Sequence, residues 1–324
     1  MSNIRKIAEL ANVSITTVSR VLNNHPYVAE EKRKAVLDII KQLNYTPNIN
    51  AIHLAKGHTG IVGVVVPNMT LPYFSAVVDG ISNKAMKHDY KLMIYQTKYE
   101  REKEIEALEM LKKKQVDGLI IISRKVEWSL IESYSEYGPI LICEDRESKR
   151  ISTISINHYE GFAIGMNYLR EKGHKRVGCC LSRLEGSNSK RRIQAYYDFG
   201  EKFEMDVREQ WIFKGCLFIE DGRRVIEQLK KMPESPTALL VASDYVAAGV
   251  MTSCNEYGVK VPTDLAFIGF DNHPLAEALH ITTIEHPIVE LGSRALAKIH
   301  SVLHEAEAPS QSQLPLKLIE RKTV

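Results

Sequence analysis

The 324-residue sequence predicts a small α-helical headpiece followed by a two-lobed α/β body built on two doubly wound parallel sheets. Three observations carry that expectation. Residues 4–43 hold three short stretches with apolar side chains at helical spacing and turn residues between them. From Gly60 onward the texture changes to short continuous apolar runs, such as Ile61-Val62-Gly63-Val64-Val65-Val66, separated by amphipathic stretches. Continuous apolar strands between helices mark parallel sheets covered on both faces. About ten of them over roughly 220 residues fit two sheets better than one. Charge is also unevenly placed. Residues 1–58 carry eight Lys/Arg against four acids, whereas the rest carries 35 basic and 36 acidic residues. A basic amino-terminal segment on a near-neutral body is an electrostatic footprint for a polyanion.

In the headpiece, Ile4, Ile7, Ala8 and Ala11 follow helical spacing after the candidate caps Ser2 and Asn3. That helix ends near Asn12-Val13, because asparagine tolerates the left-handed conformation of a tight turn. Ser14 then caps a second helix running to Asn23. Val18, Val21 and Leu22 share one face; Thr16, Ser19, Arg20 and Asn23 share the other. Short hydroxyls and a guanidinium fork can reach base edges. Two short helices around a tight turn form a helix-turn-helix whose second helix enters the major groove. A third helix, Glu30–Leu43, closes the core with Val36, Ile39, Ile40 and Leu43. Pro47 breaks it, Asn48 can cap a new segment and Gly57 can end it. So short a helix is unstable alone. Ala51, Leu54 and Ala55 suit packing against a second copy.

Through the body the pattern predicts strands at 61–66, 91–95, 119–123, 140–143, 177–181, 210–214, 238–242 and 265–270, with helices between them. Ligands of such sheets bind beyond the carboxyl ends of the strands. Four strand ends stand out: Asn68 to Phe74, Ser187–Arg192, Ser243-Asp244, and Asp271-Asn272. Aromatic faces, one guanidinium and carboxylates from two lobes suit a polyhydroxylated or heterocyclic ligand. Each residue also has a plainer reading. Tyr73 and Phe74 fit a core, Asp244 a helix cap, Arg192 a surface ion pair and Asp271 a turn.

The run Ile7-Ala8-x-x-Ala11-x-Val13-Ser14-x-x-Thr17-Val18-Ser19-Arg20-Val21-Leu22-Asn23, with Tyr45-x-Pro47-Asn48-x-x-Ala51-x-x-Leu54, resembles the headpiece and hinge of the LacI/GalR family of bacterial transcription regulators. Val66-Pro67-Asn68, Pro72-Tyr73-Phe74, Gly173-His174-Lys175-Arg176-Val177 and Gly269-Phe270-Asp271 resemble the same family's periplasmic-binding-protein-like effector domain. The resemblance implies DNA contacts from Ser14, Ile15, Thr16, Thr17, Ser19, Arg20, Asn23 and Tyr27, and from the hinge residues Asn48, Ala51 and Leu54, with Leu54 as a minor-groove wedge. It implies effector contacts from Asn68, Tyr73, Phe74, Arg192, Ser243 and Asp271, and from Leu217 or Phe218 at the position of an aromatic wall. This chain departs from the family at Asn12 and Ile52, where Gly and Arg are common. Ser243, Cys216 and His286 likewise stand in for Asn, Asp and Gln.

The expected division is a helix-turn-helix domain 1–46, a hinge 47–59 and a body 60–324. Within the body, lobe 1 takes 60–159 and 287–310, and lobe 2 takes 160–286 and 311–324. The five cysteines (Cys143, Cys179, Cys180, Cys216, Cys254) have neither disulfide nor zinc-ligand spacing and read as buried thiols. No nucleotide-binding, metalloprotease or hydrolase motif occurs, so neither enzyme chemistry nor a cofactor or metal is expected. Without a signal peptide or an apolar run of membrane-spanning length, a cytoplasmic protein is expected. The resulting expectation is a homodimeric repressor of carbohydrate-metabolism genes. It binds a palindromic double-stranded operator and answers to a sugar or sugar phosphate. A purine effector is the alternative within that architecture. A solute-binding protein or a sugar enzyme with a helix-turn-helix appendage are the rivals outside it.

Overall fold

The computed structural model describes residues 4–23, 25–46, 57–304 and 308–324. It divides into two compact units, Met1–His58 and Thr59–Val324. The first unit holds α1 (Ile4–Leu10), α2 (Ile15–Leu22) and α3 (Glu30–Gln42). Its core is small: Ile7, Ala8, Val18, Val21 and Val36 are buried, with Ile39, Ile40 and Leu43 packed beside them. Asn12 takes φ 50°, the left-handed turn its sequence position predicts. The expected caps Ser2 and Asn3 and the hinge residues Asn48, Ala51, Ile52 and Leu54 lie outside the described residues.

The second unit carries two six-stranded sheets. The first contains β1 (Ile61–Val66), β2 (Lys91–Gln96), β3 (Gly118–Ile121), β4 (Ile140–Ile142), β5 (Ser152–Ile156) and β11 (Gln311–Leu314), in the order β11-β5-β4-β3-β1-β2 and parallel throughout. The second contains β6 (Val177–Cys180), β7 (Ile212–Phe213), β8 (Ala238–Val241), β9 (Ala266–Asp271), β10 (Thr283–Glu285) and β12 (Lys317–Ile319), in the order β12-β10-β9-β8-β6-β7. Only the β10–β12 pair is antiparallel among its described pairings. Strand order reverses between β1 and β3 and between β6 and β8. Those are the switch points where loops diverge and a crevice opens.

Helices cover both sheets: α4 (Pro72–Lys87), α5 (Arg101–Lys112), α6 (Trp128–Ser133), α7 (His158–Glu171), α8 (Ser187–Lys202), α9 (Ile219–Lys231), α10 (Asp244–Tyr257), α11 (Pro274–Ala278) and α12 (Ile288–His304). The backbones of α4 and α12 touch. A Cβ on Gly80 would stand 1.9 Å from Val289 O, and one on Gly292 would stand 2.0 Å from Val77 O. Only glycine permits so close a crossing. No helix among the described residues is long and apolar enough to cross a membrane.

The lobe boundary at 311 needs correction. Gln311–Leu314 does not belong to the second lobe; it pairs in parallel with Thr153–Ile156 at the edge of the first sheet. The chain crosses only afterwards, at Pro315-Leu316, before β12 joins β10. A proline, which cannot donate to a ladder, falls at the exchange. Two other crossings follow β5, at Asn157, and β10, at His286-Pro287. Strand β5 is absent from the apolar pattern because Ser152, Thr153 and Ser155 are buried hydroxyl residues in an otherwise apolar layer.

Candidate functional site

On α2, Ser14 sets the start of the helix. Its hydroxyl accepts from Thr17 N at 3.1 Å and lies 2.9 Å from Thr17 Oγ1, so the Thr17 hydroxyl belongs to the cap. At the other end, the Asn23 amide donates to Ser19 O at 2.8 Å and closes the helix. Ser19 is half-buried. The residues left facing solvent are Ile15, 46% exposed, with Thr16 and Arg20. An apolar group, a hydroxyl with a methyl, and a guanidinium match a thymine methyl and the acceptor edge of guanine. Tyr27, 85% exposed, lies in the following loop with its ring 5.6 Å from that of His25. Arg33 donates to His25 O at 2.6 Å, which ties that loop to α3. The opposite face of α2 is the core face, with Val18 and Val21 buried. The spacing of apolar residues along α2 therefore sets which side chains face outward.

In the body, a cavity of about 140 Å³ lies at the carboxyl ends of both sheets. Tyr73 and Phe74 enter from the first turn of α4, and Ser123-Arg124 follow β3. Ser182-Arg183 follow β6, Ser243 follows β8, and Asp271 ends β9. Arg192 comes from α8. It is 8% exposed, with its guanidinium carbon 4.7 Å from the Phe270 ring centre and 5.5 Å from that of Phe162. Burial lowers its pKa to about 10, against the opposing pull of Asp271 and Tyr73, so it remains a cation at neutral pH. Its Nε has no hydrogen-bond partner.

Asp271 stands at φ 114°, and Asn272 follows at φ 53°. Left-handed conformations at two successive non-glycine residues need outside support. Arg321 supplies it by donating to Asn272 Oδ1 at 2.8 Å, while the Asn272 amide donates to Glu285 Oε1 at 2.9 Å. The turn aims Asp271 at His286, whose Nε2 donates to Asp271 Oδ1 at 2.9 Å. His286 Nδ1 and the Nδ1 of the neighbouring cavity residue His158 lack partners. Burial pushes the His158 pKa well down, and Arg192 and His286 push the same way, so this ring is neutral at pH 7. Burial likewise raises the Tyr73 hydroxyl, which stays protonated. The cavity thus offers neutral donors and acceptors, the carboxylates of Asp271 and Glu144, and buried guanidinium chemistry beside aromatic faces. Among the described residues no group of His, Cys, Asp or Glu is arranged to hold a metal ion.

Of the residues singled out in the sequence, Tyr73, Phe74, Arg192, Ser243 and Asp271 line this cavity. Leu217 lines a smaller adjoining one of about 70 Å³, shared with Tyr73, Phe74, Ser243 and Asp271. Asn68 lines neither. Its Oδ1 accepts from Thr70 N and Thr70 Oγ1, both at 2.9 Å, so the side chain is spent on its own turn. Ser243, not Asp244, caps α10, accepting from Val246 N at 3.3 Å. Asp244 is fully buried, with Oδ2 accepting from His273 N at 2.8 Å and Oδ1 from Thr283 Oγ1 at 2.7 Å. Burial and nearby Asp271 raise its pKa well above the carboxylate range. The sequence patterns missed His158, Tyr99, Arg124, Glu144 and Arg183. Arg124, Glu144 and Arg183 share one usable signal, since each follows within three residues of an apolar parallel strand.

Residues 3–48 match the family described as bacterial regulatory proteins, lacI family, and residues 166–324 match a periplasmic binding protein-like domain. The HTH-type transcriptional regulator YkvZ of Bacillus subtilis (strain 168) is 43% identical over 324 residues, covering 100% of both chains. The chain belongs to the LacI family. It is therefore a DNA-binding transcription regulator, and the family's members are regulators rather than enzymes. Among solved structures, the lac repressor dimer bound to operator and the anti-inducer ONPF matches with a TM-score of 0.85 at 25% identity, covering 99% of this chain and 98% of that one. A LacI-family regulator from Lactobacillus casei with bound glucose matches with a TM-score of 0.75 at 27% identity, over 82% of this chain and 99% of that one. Membership of the LacI family accounts for both units: a DNA-binding headpiece and an effector-binding body.

Proposed function

We propose that this LacI-family regulator is a homodimeric repressor of carbohydrate-metabolism genes that binds a palindromic operator and is switched by a sugar-type effector. The observation that carries the effector class is the cavity itself. Buried Arg192 packs beside Phe270, the Asp271–His286 pair stands opposite, and Tyr73 and Ser243 supply hydroxyls. Aromatic faces with a few fixed polar groups suit a polyhydroxylated ring. The glucose found in the Lactobacillus casei relative supports that class. The dimer and the palindrome rest on the likeness to the lac repressor dimer on its operator. Ile15, Thr16 and Arg20 would read each half-site. Asn48, Ala51 and Leu54 would act from the hinge, with Leu54 wedging at the operator centre. A ligand that binds the two lobe arrangements unequally then shifts operator affinity.

Selecting binding sites from a random DNA pool, followed by anisotropy titrations with a panel of sugars, tests the whole reading. An inverted repeat and a sugar-dependent change in affinity are expected. Selected sites without two-fold symmetry would remove the dimeric reader, and an affinity indifferent to every sugar would remove the effector class.

A further inference from the structure

The amino-terminal end of α8 carries no acid in its first turn and gathers cations instead. A helix amino-terminus is the positive end of its dipole and presents unbonded N–H groups. Acidic side chains usually stand there. Here the first turn has no acid, and the capping residue, Gly186, has no side chain with which to accept a bond. Exposed Glu185 precedes it, the first turn is Ser187-Asn188-Ser189, and Lys190, Arg191 and Arg192 come next. A further cation, Arg183, sits directly in front: its Nη2 lies 3.4 Å from where a Cβ would stand on Gly186. Arg183 is held there by the Tyr99 ring, whose centre is 3.4 Å from its guanidinium carbon, and by donation to Arg124 O at 3.4 Å.

Two independent features point to a ligand. Arg192, more than nine-tenths buried and lining the same cavity, keeps an unpartnered Nε. Ser189, 4% exposed, stands one helical turn earlier and also lines the cavity. The cavity's own carboxylates are hydrogen-bonded to other side chains, and Asp271 attracts Arg192 only across space. Glu144 pairs with Arg124 at 2.8 Å, and Asp271 accepts from His286 at 2.9 Å. Among the described residues neither Arg183 nor Arg192 forms an ion pair. Arg183 and the helix amino-terminus therefore face this space with no ion-pair partner, beside Arg192, which Asp271 attracts without bonding to it. An oxyanion seated there would accept from backbone N–H groups and from the arginine forks together.

We propose that this end of α8 seats the phosphate of a phosphorylated sugar, with Arg183, Arg192 and Ser189 as its side-chain donors and Asp271 and His286 at the sugar end. The assignment rests on the sugar-type effector proposed above and narrows it to a phosphomonoester.

Calorimetric titration of the full chain with hexoses, their monophosphates, the matching uronates and inorganic phosphate tests it, on wild type and on Arg183→Gln. A monophosphate is expected to bind at least tenfold more tightly than its parent hexose. Arg183→Gln should bring that ratio down on the order of tenfold. Inorganic phosphate should bind weakly to wild type and be lost in Arg183→Gln. Hexoses that bind as well as their phosphates would overturn the seat and leave the sugar reading standing. Phosphate binding lost in Arg183→Gln, with no sugar bound in any form, would keep the seat and overturn the sugar reading. A uronate that matches the hexose phosphate would reassign the seat to a carboxylate. A phosphate preference undiminished in Arg183→Gln would remove Arg183 and the seat with it. Silence from every ligand would overturn both.

Discussion

On α2, Ile15, Thr16 and Arg20 stand within two turns of one helix and face solvent, whereas the side chains of the body's cavity are mostly buried or half-buried and arrive from both sheets. The headpiece needs only a local rule. Once Val18 and Val21 are buried against Ile7 and Val36, the opposite face is exposed by geometry. The cavity needs global agreement. Tyr73, Arg124, Arg183, Arg192, Asp271 and His286 meet only if both sheets form and the chain crosses between them. A surface reader can therefore change specificity with little effect on folding, while a buried binder couples ligand chemistry to stability.

The largest expected effect separates the two units outright. Gly80→Ala forces a methyl into the Val289 carbonyl across the α4–α12 contact. The body should lose about 3 kcal/mol or more of stability while the headpiece keeps its own. Calorimetry of the full chain reads both, and an unmoved body transition would contradict the close crossing. Next, Arg192→Gln should weaken effector binding by roughly 100-fold, about 3 kcal/mol, because it removes a buried cation from the ligand. Operator binding without effector should persist. A loss of both together would mean that cavity and reader are not separable in this way. Arg20→Ala should cost about 2 kcal/mol of operator binding and relax preference at one base pair per half-site, leaving the body's thermal stability untouched. Equal discrimination among operator variants in titrations would remove Arg20 from base reading.

The smallest effect is a slope. The His158 pKa is depressed on folding by burial and then by Arg192 and His286. Below the ordinary value of 6.5 the unfolded chain takes up a proton that the folded chain refuses. Stability from this group is full above pH 6.5 and falls with pH toward the folded value, by about 1 kcal/mol between pH 6.5 and 5.5. Denaturant melts of His158→Gln should lack this share of the acid slope. An unchanged slope would place the titration elsewhere.

Much of the architecture is legible in short-range pattern. The helix-turn-helix shows in Ile4, Ile7, Ala8, Ser14 and Val18, and Asn12 occupies the left-handed turn its side chain suits. The central strands show as apolar runs because parallel strands are covered on both faces. Strand β5 escapes that signal, since Ser152, Thr153 and Ser155 alternate with isoleucines yet all are buried. Edge strand β11 escapes it too, with three exposed polar residues and only Leu314 buried. Among the cavity residues, aromatic Tyr73 and Phe74 after a strand and Asp271 at a strand end carry a readable sign. Asn68 carries the same sign, but it lines neither cavity and its Oδ1 accepts from its own turn.

What the sequence determined by itself is periodicity, capping and charge balance, because each depends on neighbours within about four residues. Those suffice for a basic helix-turn-helix headpiece and a two-sheet body. The tertiary structure alone decided which polar groups face one another. His286 reaches Asp271 because β9 and β10 pair with Asp271 opposite Glu285. Arg183 lies on Tyr99 because the carboxyl ends of separate sheets meet. No local pattern encodes those meetings. They are consequences of long-range packing, where strand register and crossovers bring residues far apart in the chain to within a few ångströms.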